Sequence, residues 1–429
     1  MRFGGRLAAA IEVLDDIERR HRPAADALKD WGLSHRFAGA GDRAAIGNIV
    51  YDALRRRRSA GWLLDADSPR AVAFGALLLE WGETAESLNG SLEGDRFAPE
   101  PLSEAERRSI EERGMTTAPD AVAADCPDWA APLLQASFGD DWVLEARALA
   151  GRPPLDLRAN TLKATRDKVV AELSDTGAVP TAIAPHGIRI APIEGAGRHP
   201  NVQAEPSFQK GWFEVQDEGS QTVAELAGVK PVMQVLDFCA GAGGKTLALS
   251  AAMQNRGQIY AFDSEKARLA PIFERIRRAE NRNIQVLSKP VELEAHVGQM
   301  DIVLIDAPCT GSGTWRRRPD AKWRLTPKQL EMRIGEQRAI LADASRYVKP
   351  GGRLVYITCS LFREENQEQI ATLLKQDAAF APVDHESLFE ARFPGKSAVA
   401  RIDRDAGLVL SPFRSHTDGF FFAALQRTA

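Results

Sequence analysis

An acid and two thiols stand directly behind two apolar stretches of the chain. Asp306 and Cys309 follow one run of Val, Ile and Leu, and Cys359 follows another. A thiolate is a strong nucleophile, and an acid or hydrogen-bond donor beside it can stabilise charge that develops on an attacked ring. Most lone cysteines are small buried hydrophobes. The Asp-Ala-Pro-Cys and Thr-Cys-Ser contexts, both at predicted strand ends, favour a chemical role instead.

Such a set of side chains suits attack on a pyrimidine. Carbon-5 of the ring is too weak a nucleophile to take a methyl group from a sulfonium unaided. A thiolate that adds to carbon-6 makes carbon-5 enamine-like, and a donor at N3 stabilises the resulting charge. The carbon-5 proton must then leave before the thiolate is eliminated. This chemistry needs one nucleophilic Cys, an acid at N3 and a base or relay.

The elements that must position these residues follow a strand, turn, helix and strand pattern from residue 232. Strands are predicted at 232–237, 258–262, 284–287, 302–305 and 353–357, and a closing antiparallel pair at 407–410 and 419–425. Long helices are predicted at 265–281 and 329–348 between them. Parallel strands place their carboxyl ends on one edge of a sheet, where α/β proteins bind ligands. Asp306, Cys309 and Cys359 are therefore expected to meet there.

A turn of small residues at 238–245 is the predicted ligand-binding turn. It contains Cys239, Ala240, Gly241, Ala242, Gly243, Gly244 and Lys245, and Asp263 follows Gly241 by 22 residues. Small residues allow close backbone approach, and an acid after the second strand can accept ribose hydroxyls. A phosphate-binding P-loop needs Gly where Cys239 stands, and the third Gly of a dinucleotide fingerprint is replaced by Thr246. S-adenosylmethionine, which has no phosphate, is favoured over a dinucleotide.

Residues 6–60 predict helices, with Asp42 expected as the N-cap of a helix that begins near Arg43 and Ser68-Pro69 starting another. The run Arg55–Arg58 is either a solvated helix end or an RNA-backbone patch. A strand at 153–163, a helix at 166–176 and a strand at 186–191 predict a small α+β unit. The opening residues of a helix at 216–227 offer Asp217 or Ser220 as its cap.

Composition excludes several classes of protein. The hydrophobic content of 44% predicts packed cores, and the net charge of −4 leaves room only for local basic patches. The four Cys show no CxxC pairing, so neither a structural metal nor a disulfide framework is expected. With no apolar run of membrane-spanning length and no signal peptide, a cytoplasmic monomer without membrane contact is expected.

The motifs resemble the RsmB/Sun/NOL1/NOP2 family of RNA (cytosine-C5)-methyltransferases. The resemblance covers residues 127–425, and its motifs are Asp306-Ala-Pro-Cys-Thr-Gly-Ser-Gly-Thr, Arg317-Arg-Pro-Asp-Ala-Lys-Trp323, Tyr356-Ile-Thr-Cys-Ser360, Glu364-Glu-Asn366, Thr417-Asp-Gly-Phe-Phe421, Arg158-Ala-Asn-Thr-Leu-Lys163 and 215–221. Residues 5–65 resemble the NusB family of helical RNA-binding domains. Together they imply the bacterial type that acts on 16S rRNA.

The resemblance implies a role for each site residue. Cys359 would be the nucleophile, Cys309 would assist product release, and Asp306 would contact N3. S-adenosylmethionine would be held by residues 239–245, Asp263 and Asp306. RNA contacts are expected from the basic residues of the Trp315–Trp323 segment and from two polar residues of the strand near 158, namely Arg316, Arg317, Arg318, Lys322, Arg158 and Asn160.

The implied fold is a class I Rossmann-like α/β methyltransferase domain (211–429), preceded by an all-α NusB-like domain (1–120) and a helical linker with a small α+β subdomain (121–210). Two departures from the family pattern stand out: Ala242 replaces the usual Pro, and 287–290 lacks the usual acid of the adenine region. Alternatives are a tRNA or DNA cytosine methyltransferase and a non-catalytic RNA-binding assembly factor.

Overall fold

A computed structural model describes residues 1–428. The α-helices, in chain order, are α1 Phe3–Arg20, α2 Ala24–Ser34, α3 Ala40–Arg55, α4 Arg57–Leu64, α5 Pro69–Glu80, α6 Ala85–Leu92, α7 Glu104–Glu112, α8 Asp120–Ala123, α9 Ala131–Phe138, α10 Trp142–Ala148, α11 Arg166–Glu172, α12 Pro206–Gln209, α13 Glu218–Leu226, α14 Gly244–Ala252, α15 Lys266–Leu269, α16 Ile272–Ala279, α17 Pro319–Arg324, α18 Pro327–Ala344, α19 Gln367–Gln376, α20 His385–Arg392 and α21 Pro412–Ser415. The strands are β1 Leu155–Ala159, β2 Val179–Pro180, β3 Gly187–Ile190, β4 Phe213–Val215, β5 Gln234–Asp237, β6 Gln258–Phe262, β7 Ile284–Leu287, β8 Met300–Asp306, β9 Val348–Thr358, β10 Phe380–Pro382, β11 Arg401–Asp403, β12 Gly407–Leu410 and β13 Phe420–Arg427.

The first compact unit, called the helical unit below, consists of residues 1–153, 192–199 and 315–325. Its core is built from apolar faces of α1, α3 and α5, as the helical periodicity predicts. Ser68 caps α5 by accepting a hydrogen bond from the Ala71 amide at 3.2 Å, as expected. The cap predicted at Asp42 is wrong: α3 begins at Ala40, and the Asp42 carboxylate instead accepts from the Gly39 amide.

The second compact unit, called the sheet unit, consists of residues 154–191, 200–314 and those from 326 onward. A small antiparallel sheet has the strand order β2-β3-β1-β4. Asp217 caps α13 by accepting from the Gly219 amide at 2.7 Å, which decides between the two predicted caps. The small sheet has two strands that the sequence pattern did not predict, β2 and β4. They are only two and three residues long, which is too short to give a recognisable pattern.

The large sheet has the order β11-β12-β13-β9-β8-β5-β6-β7, and β10 pairs with β13. Strands β5 to β9 run parallel, and β13 is antiparallel to β9 and β12. This is the predicted Rossmann-like sheet with its closing hairpin. The helix predicted at 265–281 is two helices, α15 and α16, because Pro271 between them has no N–H to donate.

The helix predicted at 329–348 runs from Pro327 to Ala344, and β9 begins already at Val348. None of the helices in residues 1–428 combines the length and apolarity that crossing a membrane requires. The domain boundaries near residues 120 and 210 remain predictions.

Candidate active site

Four polar residues lie where neighbouring parallel strands of the sheet unit end. Asp237 ends β5, Asp306 ends β8, Asp263 follows β6, and Cys359 follows β9. These strands are adjacent in the order β9-β8-β5-β6, so their carboxyl ends share one edge. The predicted gathering of acids and thiol at this edge is what the topology produces.

The turn between β5 and α14 is shaped by two glycines. Gly241 (φ 50°) donates its amide to Asp263 Oδ2 at 3.0 Å. Gly243 has φ 82°, and a Cβ there would come within 2.4 Å of Ile272 Cγ1. Only glycine fits that position without displacing its neighbours. Asp263 also accepts from the Glu265 amide at 3.0 Å, so its carboxylate is held in place at the turn.

Asp237 is a buried acid with an unused oxygen. Its Oδ2 accepts from Thr246 Oγ1 at 2.6 Å, whereas Oδ1 has no hydrogen-bond partner among residues 1–428. Burial, reinforced by the negative charge of Asp306, raises the pKa of Asp237 to about 7. A buried acceptor without a donor is costly, so this oxygen fits a ligand that brings a proton or positive charge. The ammonium of S-adenosylmethionine is such a group.

Lys245, the last residue of the turn, contacts Asp306. Its Nζ lies 2.7 Å from Asp306 Oδ2, and its stem is buried, with the ammonium 5.3 Å from the centre of the Phe420 ring. Asp306 keeps 37% of its side chain exposed. The pair therefore joins the turn to the end of β8 and leaves a carboxylate oxygen accessible at the sheet edge.

The two thiols face each other. Cys309 Sγ and Cys359 Sγ lie 3.4 Å apart, and both residues are half-buried. The contact with Cys359, burial and the charge of Glu365 together raise the pKa of the Cys309 thiol well above its ordinary value. Cys309 is therefore a protonated thiol near neutral pH.

The loops that carry the thiols are tied together by the backbone. The Gly313 amide donates to the Cys359 carbonyl at 2.9 Å, and the Gly419 amide donates to the Gly313 carbonyl at 2.7 Å. A Cβ on Gly313 would lie 2.3 Å from the Gly419 oxygen. The loop after Cys309 therefore lies between the end of β9 and the start of β13, and backbone hydrogen bonds hold it on both sides.

The other two cysteines have no such arrangement. Cys239 is buried in the turn, and burial raises its pKa far above the usual range. Cys126 lies in the helical unit, where burial raises its pKa to about 11. Buried thiols of this kind are inert.

Residues 287–290 lack the acid that the family pattern has there, but Glu292 lies in the same turn. Glu292 Oε2 accepts from the backbone amides of Ser288 and Lys289, at 3.0 and 2.8 Å. These hydrogen bonds lower the pKa of Glu292. A carboxylate is therefore present directly after β7, supplied by a residue that the family motif does not mark.

Several residues predicted to bind RNA lie inside the fold. In the helical unit, Lys322 is 2% exposed and its ammonium donates to the carbonyls of Arg55 (3.2 Å) and Asp125 (2.5 Å). Arg316 is also buried, and its carbonyl accepts from Arg55 Nε at 2.8 Å. An RNA contact is not retained for Lys322, whose ammonium is bonded to backbone carbonyls, or for Arg316, which is buried.

The same correction applies to two residues of the sheet unit. Arg158 is 6% exposed and donates from Nε to Gln216 Oε1 at 2.7 Å. Asn160 is 3% exposed, and its amide donates to the carbonyls of Gly211 and Ala279 at 3.0 and 2.9 Å. Arg158 holds the Gln216 side chain and Asn160 holds two backbone carbonyls, so neither residue is retained as an RNA contact.

The run Arg55–Arg58 is likewise used within the helical unit. Arg55 pairs with Asp52 at 2.9 Å, Arg56 and Arg57 each pair with a glutamate at 2.5 Å, and Arg58 pairs with Asp128. Of the basic residues predicted near Trp315, Arg317 is half-buried and Arg318 exposed.

Sequence reasoning missed the residues that support the thiol loops. Glu365, Gln337 and Ser360 are buried polar residues that bond one another across the two loops. The sequence signal that could have identified Glu365 is the pair Glu364-Glu365 shortly after the Thr-Cys motif. If this segment packs against the sheet, one of two adjacent glutamates must be buried.

A Rossmann-like parallel sheet with a glycine-rich turn after its first strand and acids at the neighbouring strand ends defines a class I S-adenosylmethionine-dependent methyltransferase. A family model described as 16S rRNA methyltransferase RsmB/F matches residues 227–426, and a model of the RsmF/B-like ferredoxin-like domain matches residues 126–193. The chain belongs to this RsmB/F methyltransferase family, and S-adenosylmethionine is its cofactor.

Named relatives extend over most of the chain. A probable ribosomal RNA small subunit methyltransferase B of Synechocystis sp. is 29% identical over 97% of this chain and 98% of its own length. The corresponding protein of Bacillus subtilis is 32% identical over 72% of this chain and 67% of its own. The crystal structure of a methyltransferase homologue from Pyrococcus horikoshii is 26% identical, covers 72% of this chain and 97% of its own, and has a TM-score of 0.59.

Proposed function

We propose that the protein methylates carbon-5 of a cytosine in RNA through a covalent bond between Cys359 and carbon-6. The observation that carries this proposal is the pair of thiols 3.4 Å apart at the strand ends that also hold Lys245 and Asp306. A methyltransferase that acts on a nitrogen or oxygen has no need of a thiol at this place. Two facing thiols suit a reaction that must form a carbon–sulfur bond and later break it.

The proposed mechanism begins with an attack on the cytosine ring. The Cys359 thiolate adds to carbon-6, and the electron pair of the 5,6 double bond moves toward carbon-5 and N3. Asp306 faces N3, and the Lys245 ammonium beside it supplies a proton donor for the charge that develops. When bound, S-adenosylmethionine supplies an electrophilic methyl group to carbon-5.

Release completes the cycle. A base removes the proton from carbon-5, the double bond re-forms, and the Cys359–carbon-6 bond breaks to regenerate the thiolate. Cys309, which stands against Cys359, assists this step. The raised pKa of Cys309 supports the division of roles, because a protonated thiol is a poor nucleophile.

We further propose 16S rRNA as the substrate, since the relatives are named as methyltransferases of small-subunit ribosomal RNA. A tRNA substrate is the alternative. Arg317 and Arg318 are the proposed phosphate contacts that remain from the basic segment. Bisulfite mapping of cellular RNA from a deletion strain decides between the two: loss of one 5-methylcytosine from 16S rRNA is expected, and loss only from tRNA would contradict the rRNA proposal.

A pair of substitutions tests the mechanism. Cys309→Ala is expected to accumulate a covalent protein–RNA adduct, seen as a slow band on a denaturing gel. Cys359→Ala is expected to give neither adduct nor methylation. Cys126→Ala is the matched control, because that buried thiol lies in the helical unit and takes no part in the proposed chemistry.

The outcomes separate the hypotheses. Adduct in Cys359→Ala but not in Cys309→Ala would reverse the two roles, as in a DNA-type cytosine methyltransferase. Methylation that survives both substitutions would remove covalent catalysis altogether.

A further inference from the structure

The Glu365 carboxylate accepts four hydrogen bonds close to the two thiols. It lies in the short 3-10 turn Arg363–Glu365 and is fully buried. Its Oε1 accepts from the Thr310 amide at 2.8 Å and from Gln337 Nε2 at 3.0 Å. Its Oε2 accepts from Thr310 Oγ1 at 2.5 Å and from Ser360 Oγ. Four donors from three separate segments therefore converge on one side chain.

The donors are the immediate neighbours of the two thiols. Thr310 follows Cys309, and Ser360 follows Cys359. Gln337, from α18, also donates to the carbonyl of Pro308 at 3.0 Å, so it fixes the residue before Cys309. One carboxylate thus holds both thiol-bearing loops.

The backbone around Glu365 is fixed by further hydrogen bonds. The Tyr356 hydroxyl donates to its carbonyl at 2.8 Å. The next residue, Asn366, donates to the Ser360 carbonyl at 2.9 Å and accepts from Thr358 Oγ1 at 2.6 Å. A carboxylate on such a braced backbone can impose a position on its partners instead of following them.

The charge of Glu365 is not balanced by a cation. All four donors are neutral groups, and residues 1–428 contain no ion pair to this carboxylate. The titratable groups that face the Cys309 thiol are Cys359 and Tyr356 from β9 and its adjoining loop, and Glu365 from the turn that follows. A negative charge beside a thiol disfavours the thiolate.

We propose that Glu365 is the positioning residue of the thiol pair: its carboxylate accepts hydrogen bonds from both thiol-bearing loops and thereby holds the two sulfurs at one spacing. This inference rests on the proposed function for the chemical roles of the thiols. The spacing and the effect of the charge are properties of the free protein, so they can be measured without RNA or cofactor.

The first experiment measures the two thiols directly. Full-length protein is alkylated with iodoacetamide over a range of pH, and the rates at Cys309 and Cys359 are read separately from peptide masses. Glu365→Gln keeps the shape and removes the charge; its amide can donate to the Thr310 and Ser360 hydroxyls, which can turn to accept. We expect the pH midpoint at Cys309 to fall by about one unit.

Two variants separate charge from shape. Glu365→Asp keeps the charge on a shorter stem, so the midpoint at Cys309 should stay closer to that of wild type than in Glu365→Gln. Glu368→Gln is the matched control, an exposed glutamate three residues on in the same segment, and should shift nothing. An unshifted midpoint in folded Glu365→Gln overturns the proposal.

The second experiment measures turnover. We expect Glu365→Gln to lower kcat about tenfold to a hundredfold with the KM for RNA unchanged, since a small misplacement of reacting groups has effects of this size. A rise in KM alone would contradict a positioning role. If Cys309→Ala protein forms no RNA adduct and wild-type protein does not methylate RNA, the proposed function fails, while the alkylation result still decides the role of Glu365.

Thr310→Val covers the case in which Glu365→Gln does not fold. It removes one hydroxyl donor and leaves the carboxylate charged, so kcat should fall while the midpoint at Cys309 stays or rises. A midpoint that falls in Thr310→Val would contradict the proposal.

Discussion

The burial of Lys322 predicts a pH dependence of stability that a surface lysine would not give. Burial lowers the pKa of Lys322 from 10.5 to about 8 in the folded protein, against the opposing pull of Asp125. Below pH 8 both folded and unfolded chains bind the proton. Between pH 8 and 10.5 the folded chain loses it first, so the unfolded chain binds more protons and stability rises with pH.

The size of the effect follows from the same values. A difference of about 2.5 units, at about 1.4 kcal/mol per unit, corresponds to about 3 kcal/mol gained from this group across the window. Other ionisable groups also contribute to the pH dependence of stability in this range. The quantity to compare is therefore the free energy of unfolding of the wild type minus that of Lys322→Met at each pH. That substitution leaves the carbonyls of Arg55 and Asp125 without their donor, which costs about 1–3 kcal/mol for each buried acceptor.

Urea unfolding at several pH values between 7 and 10.5 measures this difference. Tryptophan fluorescence reports mainly on the helical unit, because seven of the eight tryptophans lie in it. Lys29→Met, an exposed lysine of the same unit, is the control and should give no trend. A wild-type-minus-Lys322→Met difference that stays flat from pH 7 to 10.5 would refute the buried ammonium, as would a variant of unchanged stability that binds RNA weakly.

Further predictions concern the sheet edge and the basic segment. Arg318→Ala should weaken RNA binding and reduce the slope of log Kd against log salt by about one, measured by filter binding; an unchanged slope would mean a merely solvated side chain. Gly313→Ala, which would crowd Gly419, should destabilise by about 1–3 kcal/mol in thermal melts, whereas Gly335→Ala in open space on α18 should stabilise by about 0.5–1 kcal/mol. Since the pKa of Asp237 is raised to about 7, its carboxyl is neutral below pH 7 and ionised above, so S-adenosylmethionine should bind more tightly at pH 8 than at pH 6 by calorimetry. Asp237→Asn should abolish that trend, and a trend that persists would contradict the ammonium contact.

All five strands of the parallel sheet could be predicted from the sequence, two of them to the residue, whereas β9 begins five residues earlier than predicted. The runs at 258–262 and 284–287 coincide with β6 and β7, because each is a short stretch rich in aliphatic and aromatic residues that ends at a polar residue. The convergence of Asp237, Asp263 and Asp306 on one edge then follows from parallel topology alone. These parts were predictable because each depends on local pattern and one general rule.

The role of the basic segment could not be predicted in the same way. Arg316 and Lys322 have the composition of a phosphate-binding loop, but a cation that bonds backbone carbonyls has the same sequence signature as one that faces solvent. The ammonium of Lys322 donates to the carbonyls of Arg55 and Asp125, which lie 267 and 197 positions away along the chain. Backbone oxygens leave no trace in the sequence, so only the fold reveals them.

The two carboxylates beside the thiols have different electrostatic surroundings, and this difference bears on which thiol reacts. Asp306 is neutralised by Lys245 at 2.7 Å, whereas Glu365 is satisfied only by neutral donors. The uncompensated charge therefore acts on Cys309, whose backbone neighbour Thr310 is bonded to it. Removing the negative charge of Glu365 should therefore lower the pKa of Cys309 even when both cysteines remain in place, whereas removing that of Asp306 should change it less.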